Sequence, residues 1–368
     1  MKISTLFIDA DIPLTPEIEY IISKLKLDPI RVTCSEPVYS YINQSDDPIL
    51  KAKSTLYITT HRGAVIKECP GTSEYTCCDY TILHTGTFCT MDCSYCILQA
   101  YFHPPVLQYF AGFDRLETAL NDTFKQDKIF RIGTGEFTDS LIWEKISLLP
   151  EFLINIFAKQ DNCILELKTK TVNIDSLLDL DHNNKTILSW SLNTPHVIHT
   201  EERGTTSLNA RLQAAQKAQG KGYPLAFHFD PLVIYPGCEN EYEQVIKLIF
   251  DHVDPQNIVW ISIGSFRFMP ALKPIIEKRF SDSVICYGEF ICGLDNKMRY
   301  FKPVRIRLYQ KIISCIQQYA PKVLVYFCME DEQVWNECMG FFPAKEGELG
   351  TMLDKSAGLH CNLNPRLL

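Results

Sequence analysis

The run Phe88-Cys89-Thr90-Met91-Asp92-Cys93-Ser94-Tyr95-Cys96-Ile97-Leu98-Gln99 carries three cysteines spaced C-x3-C-x2-C. A loop this short can wrap three thiolates around one corner of an iron–sulfur cube. That leaves one iron of a [4Fe–4S] cluster without a protein ligand and open to a small chelating molecule. Tyr95, just before the third cysteine, can lie flat against a base or ring held beside the cluster. A zinc site is the rival reading. It needs a fourth ligand from Cys77, Cys78 or His84, and the adjacency of Cys77 and Cys78 makes a tetrahedral site awkward. Packing near the loop is the expected role of that pair.

What surrounds the loop sets the fold. Short apolar strands are predicted at Thr81–Phe88, Ile129–Gly133, Ile164–Thr169, Thr186–Leu192, Leu225–Phe229 and Ile258–Gly264. Helices are predicted around Ser140–Leu149, Ile174–Leu180, Leu208–Gln219 and Tyr242–Asp251. Six strand–helix units in succession imply a parallel sheet, because each crossover needs a helix. Six are too few for a full eight-stranded barrel, so the expected class is α/β with a partial barrel or open sheet. Residues 1–80 read as a smaller N-terminal α/β lobe and 81–283 as the barrel. Residues 284–368 read as a C-terminal extension with a helix near Val304–Gln318 and a strand at Val323–Phe327. The cysteine loop follows the first barrel strand, at the end where such sheets place their chemistry.

Composition narrows the class. The chain has 368 residues, 46% hydrophobic and 22% charged, which excludes wholesale disorder and fibrous repeats. Its start lacks a secretory pattern, and no stretch approaches the roughly 18 apolar residues of a membrane helix. A cytoplasmic protein with reduced thiols is expected, with no membrane partner. Fifteen cysteines are then mostly small hydrophobes. Beyond the motif and the 77–78 pair they are scattered (Cys34, Cys69, Cys163, Cys238, Cys286, Cys292, Cys315, Cys328, Cys338, Cys361), and core packing is expected for each. The net charge of −8 argues against a protein that coats nucleic acid non-specifically, though not against a local basic groove.

The cluster motif resembles that of radical S-adenosylmethionine (SAM) enzymes, and the chain resembles the spore photoproduct lyase family. The resemblance runs from about Tyr75 to Phe342. It is carried by CCDYTILHTGTFCTMDCSYCILQAYF, RIGTGEFTDSL, KTKTVNIDSLL, SWSLN, GYPLAFHFDPLVIYPG, WISIGSFRFMP and GLDNKMRYFKPVR, all in one order. It implies a radical SAM partial (β/α)6 barrel and a [4Fe–4S] cluster on Cys89, Cys93 and Cys96. It also implies SAM cleavage to a 5′-deoxyadenosyl radical, and repair of a methylene-bridged thymine dimer in DNA. A reducing partner such as flavodoxin or ferredoxin would supply the electron.

Residues at strand ends fit that cofactor. Gly133 and Gly135 let backbone approach a ligand closely. Glu136 offers a carboxylate to a cationic amine such as the methionyl ammonium. By similarity Thr138, Lys170 and Ser191 contact SAM, Lys170 through the methionine carboxylate. His228 and Asp230 point toward the same mouth, as pocket groups or as satisfied strand-end groups. Tyr95 and Glu136 are the expected catalytic residues.

Lys297, Arg299, Lys302, Arg305, Arg307 and Lys311 fall within fifteen residues, interleaved with Tyr300, Phe301 and Tyr309. Basic residues can neutralise phosphates while an aromatic ring props open a base step. In the family a basic–aromatic hairpin inserts at the lesion, and Met298–Phe301 resembles its tip. Lys297, Arg299, Tyr300 and Lys302 are therefore expected to contact nucleic acid, whereas Arg305, Arg307 and Lys311 are expected to face water.

The chain also departs from the family. Glu136 stands where its lyases carry a hydrogen-donating cysteine, and Ile97 stands where they carry a tyrosine after the third cluster cysteine. Cys238, Cys286 and Cys292 are candidate replacement donors. Two further readings stand beside repair of thymine lesions. One is a radical SAM enzyme acting on another lesion, a nucleoside or a peptide. The other is a non-catalytic, cluster-bearing binder of damaged DNA.

Overall fold

The computed structural model describes residues 2–72, 74–343 and 348–368. In chain order the strands are β1 (Thr5–Asp9), β2 (Ile30–Val32), β3 (Thr55–Thr59), β4 (Ile66–Glu68), β5 (Thr81–Leu83), β6 (Gly86–Thr87), β7 (Asp92–Cys93), β8 (Leu107–Phe110) and β9 (Phe130–Gly133). They continue as β10 (Cys163–Thr169), β11 (Thr186–Ser191), β12 (Glu202–Arg203), β13 (Leu225–Leu232), β14 (Ile258–Ser265), β15 (Arg267–Phe268), β16 (Phe290–Cys292), β17 (Met298–Tyr300) and β18 (Leu324–Phe327).

The main sheet runs β18-β14-β13-β11-β10-β9-β5-β4. Its six predicted strands stand side by side in chain order and are parallel throughout. Curled into a partial barrel, this sheet gives the α/β class expected from the sequence. Two strands extend it. Antiparallel β4 pairs with β5 at one edge, and parallel β18, from the C-terminal region, pairs with β14 at the other. Every residue of β11 and β14 is buried, as expected for parallel strands covered on both faces.

Local sequence accounts for the helices that form. Leu208–Gly220 is rich in Ala, Leu and Gln, and the Ser207 side chain caps it by accepting from the Ala210 amide at 3.3 Å. Gly222, at φ +85°, lets the chain turn out of it. Two predicted helices are absent. After β9 the helix is Leu149–Phe157 rather than Ser140–Leu149, because Pro150 suits a helix start and would break a helix interior. Residues 174–180 form successive tight turns, with Leu177 and Leu180 amides bonded three residues back. The β10–β11 crossover thus needs no helix.

The predicted first strand splits. Thr81–Leu83 stays in the barrel, whereas Gly86–Thr87 pairs antiparallel with β8 in a second sheet, β2-β1-β3-β8-β6. The N-terminal lobe therefore borrows β6 and β8 from beyond residue 80 and lends β4 to the barrel. The boundary expected at residue 80 does not divide the sheets. From 284 onward, β16 and β17 form a hairpin beside β15, helix Lys302–Tyr319 follows, and helix Glu348–His360 packs on β14.

Candidate active site

Phe88 enters the cluster loop at φ +70°, a left-handed conformation that is costly for a bulky residue. Its amide bonds the Phe137 carbonyl at 2.8 Å, tying the loop to the segment after β9. The loop that follows is held by buried polar side chains. The Lys53 ammonium, fully buried, donates to the carbonyls of Met91 and Cys89 and lies 3.7 Å from Asp92. The Gln99 amide donates to the carbonyls of Cys93, Ser94 and Cys96 at 3.0–3.3 Å. Arg279 grips Asp92 at 3.1 Å and Asp47 at 2.9 Å and donates to Gln99. Segment β7 pairs antiparallel with β12, setting Cys93 opposite Glu202.

This scaffold leaves the three thiols facing one cavity of about 470 Å3, at the C-terminal ends of the barrel strands. The Met91 amide donates to the Cys89 sulfur at 3.4 Å. Burial pushes the Cys89 thiol up to about 12 and raises Cys93 as well, so binding a metal cluster there must displace protons. His84, the imidazole considered for zinc, lies outside the cavity. It packs against the rings of His61, Phe110 and Phe137.

The expected cofactor residues converge here, with one correction. Tyr95, Gly135, Glu136, Thr138, Lys170 and Ser191 all line the cavity. Gly133 does not. A Cβ there would collide with the Tyr80 hydroxyl and lie 2.8 Å from the Glu166 carbonyl, so this glycine makes room for neighbouring protein. The Tyr95 hydroxyl donates to Glu202, which also accepts from Arg211 at 2.6 Å. Burial and Glu202 hold the Tyr95 phenol well above its usual range, so it stays neutral. The Lys170 ammonium lies 5.6 Å over the Tyr95 ring. Burial opposes its charge, but Glu202 and the nearby cluster-loop thiols outweigh this and keep it firmly protonated. The buried Thr138 hydroxyl has no hydrogen-bond partner among the described residues. An orphaned hydroxyl, an ammonium and a carboxylate beside three free thiols fit an amino-acid-bearing ligand held against a thiolate-bound cluster.

Sequence reasoning passed over Asp139, Lys168 and Arg267, which also line the cavity. Asp139 accepts from the Lys170 amide and the Thr169 hydroxyl, both at 2.8 Å, and so fixes the end of β10. Asp230 lines the cavity and pairs with Arg267 at 3.3 Å. His228 does not line it; its ring nitrogens bond Glu166 at 2.6 Å and Ser262 at 2.9 Å. Cys69, Cys77, Cys78 and Cys328 face the same cavity, contrary to the core roles expected of Cys69 and Cys328. Cys34 and Cys292 are exposed, again not core. None of Cys238, Cys286 and Cys292 reaches the cavity.

The basic segment is mostly spent inside the protein. Met298–Tyr300 is strand β17, so the hairpin turns at residues 293–297, not at Met298–Phe301. Arg299 is buried against Asp295 at 2.8 Å and lies 4.1 Å over the Tyr75 ring. Tyr300 is buried and stacked on Phe290. Lys302 pairs with Asp331 at 2.9 Å. Lys297 alone of the four lines the cavity. Arg305, expected to face water, is buried against Glu330 at 3.0 Å.

The chain is similar to known proteins in both sequence and fold. The family model for spore photoproduct lyase matches residues 11–292. Spore photoproduct lyase from Bacillus subtilis (strain 168) is 29% identical over 262 residues, covering 68% of this chain and 71% of that protein. The enzyme of that name from Geobacillus sp. (strain Y412MC61) is 28% identical over 257 residues, with coverage of 68% and 71%. A solved mutant of spore photoproduct lyase superposes with a TM-score of 0.79 at 22% identity, over 89% of this chain and 100% of its own. A double mutant with bound AdoMet and dinucleoside spore photoproduct gives 0.77 at 22% identity and the same coverage. With a family match over well more than half its length, the chain belongs to the spore photoproduct lyase family of radical SAM lyases.

Proposed function

We propose that the protein splits the methylene-bridged thymine lesion of DNA, using SAM and a [4Fe–4S] cluster on Cys89, Cys93 and Cys96. The observation that carries this reading is one cavity lined by the three cluster-loop thiols together with Glu136, Thr138, Lys170 and Ser191. Bound there, the reduced cluster and SAM supply a 5′-deoxyadenosyl radical able to take hydrogen from carbon.

The chain's own residues bind, orient and exclude water. Lys170 is poised for the methionine carboxylate, Glu136 for the ammonium, and Thr138 and Ser191 for polar edges. Gly135 keeps the wall close: a Cβ there would lie 3.2 Å from the Lys168 Cβ. Tyr95 presents its ring while Glu202 holds its hydroxyl. Met91, Ile97, Phe137 and Phe266 give the cavity apolar walls that shed water and protect a radical from solvent. Lys297 serves the nucleic-acid side. A flavodoxin- or ferredoxin-type protein supplies the electron.

The test is anaerobic reconstitution with iron and sulfide, then SAM, a reductant and dinucleoside spore photoproduct. Two thymidines with 5′-deoxyadenosine are expected. SAM cleavage without repair would refute the lesion as substrate, and no SAM cleavage would leave only a binder.

A further inference from the structure

A lyase that opens a methylene bridge through a radical must return a hydrogen atom to carbon. A thiol is a ready hydrogen-atom donor to a carbon radical, and Glu136 stands where the sequence lacks one. Four thiols outside the cluster loop nevertheless face the cavity: Cys69, Cys77, Cys78 and Cys328.

Their settings differ. Cys77 and Cys78 are adjacent and hydrogen-bond each other. Cys69 belongs to the irregular segment leading into β5. Cys328 is held at both ends. Its amide donates to the Ile263 carbonyl at 3.0 Å, extending the β14–β18 ladder by one residue. Its sulfur accepts from Arg267 at 3.4 Å, and Arg267 is itself anchored on Asp230. A sulfur that accepts a hydrogen bond keeps its own hydrogen free to point elsewhere. The charged groups acting on it are Asp230, Arg267, Lys168 and Glu136, so it shares its wall with the residue that replaced the family's donor. Thr76, on the same wall, has a buried hydroxyl with no hydrogen-bond partner among the described residues, an independent sign that this side receives a ligand. Cys328 also lies beyond the stretch matched by the family model, which ends at residue 292.

We propose that Cys328 is the hydrogen-atom donor of this enzyme, delivered from the end of β18 instead of the end of β9. The inference rests on the lyase reading above. Opening of the bridge leaves a carbon radical on the former bridging carbon of one thymine. The Cys328 S–H bond breaks homolytically, and the hydrogen atom forms the third C–H bond of that methyl group. Sulfur is left as a thiyl radical. One electron from the low-potential one-electron donor already required, with one proton from solvent, restores the thiol. Burial supports the role by pushing the Cys328 thiol up to about 11, so it carries its hydrogen at neutral pH.

The test runs the reconstituted enzyme in D2O, where thiol hydrogens exchange with solvent. The unaltered protein should yield thymine with one deuterium in the methyl group. Cys328→Ser and Cys328→Ala should lose that label and consume more lesion per thymine recovered. A label retained in both variants, or lost only in Cys69→Ala or Cys77→Ala, would overturn the proposal. A second measurement needs no turnover. In cluster-loaded protein with SAM and no reductant, dinucleoside spore photoproduct should shield Cys328 from maleimide while exposed Cys34 labels equally with and without it. Equal labelling of Cys328 would also overturn the proposal. An unaltered protein that cleaves SAM but repairs nothing would instead sink the lyase reading, and this assignment with it.

Discussion

Replacing Lys53 by Met tests whether the N-terminal lobe holds the cluster loop. The Lys53 ammonium donates to two loop carbonyls and faces Asp92 at 3.7 Å, with Phe88 beneath it at 4.5 Å. A hydrogen bond from a charged donor contributes about 1.5–3 kcal/mol, and a carbonyl stripped of its partner stays buried. Two effects offset the loss. Asp92 keeps Arg279, so no carboxylate is stranded, and methionine avoids the cost of burying an ammonium. The net loss is about 3 kcal/mol. With a urea slope of roughly 3 kcal/mol/M, the unfolding midpoint should fall by about 1 M. The cluster-free variant is unfolded in urea and followed by circular dichroism. The reconstituted variant is challenged with an iron chelator. An earlier midpoint and faster iron release are expected together. An unchanged midpoint with unchanged release would refute the claim that Lys53 braces the loop.

Three more predictions concern the site and the packing beside it. Cys89→Ala, Cys93→Ala or Cys96→Ala should abolish iron loading and visible absorbance; four irons retained in the triple variant would show the ligand set to be wrong. Glu136→Ala should weaken SAM binding roughly tenfold, the loss of one charge-assisted hydrogen bond, and equilibrium dialysis showing unchanged affinity would count against its assignment to the ammonium. Burial lowers the His84 imidazole to about 3, whereas an unfolded histidine titrates near 6.5. Between those values the unfolded chain binds the extra proton, so His84 makes stability fall as pH drops from 6.5. His84→Leu should flatten the slope of Tm between pH 7 and 5, and an unchanged slope would exclude His84 as its source.

The parts legible in sequence were those contiguous along the chain. Cys89, Cys93 and Cys96 announce themselves by spacing, and Gly135, Glu136, Lys170 and Ser191 by position at strand ends. What holds them comes from afar. Glu202 meets Tyr95 across 107 residues, and Arg279 meets Gln99 across 180. No local pattern marks Lys53 as a buried cation. The basic run at 297–311 misled for a related reason. A row of cations looks like a phosphate track until its acids are known. Asp295, Glu330 and Asp331 neutralise Arg299, Arg305 and Lys302 from a turn and a strand end that spacing alone does not bring together. Helix prediction failed at Ser140–Leu149 because Pro150, read there as lying just past a helix end, sits in the first turn of helix Leu149–Phe157.

Arg279 carries a consequence for dissecting the chain. Its guanidinium joins Asp47 of the lobe, Asp92 of the cluster loop and Gln99 just beyond it, while standing at the last turn of helix Leu272–Arg279. A fragment cut at residue 80 would keep every proposed cluster ligand and every side chain proposed to face SAM, yet lose Lys53 and Asp47. The smallest piece able to assemble the proposed metal centre therefore runs at least from Asp47 to Arg279. The proposed redox site is thus a property of lobe and barrel jointly, and neither can be exchanged by domain grafting without rebuilding that grip.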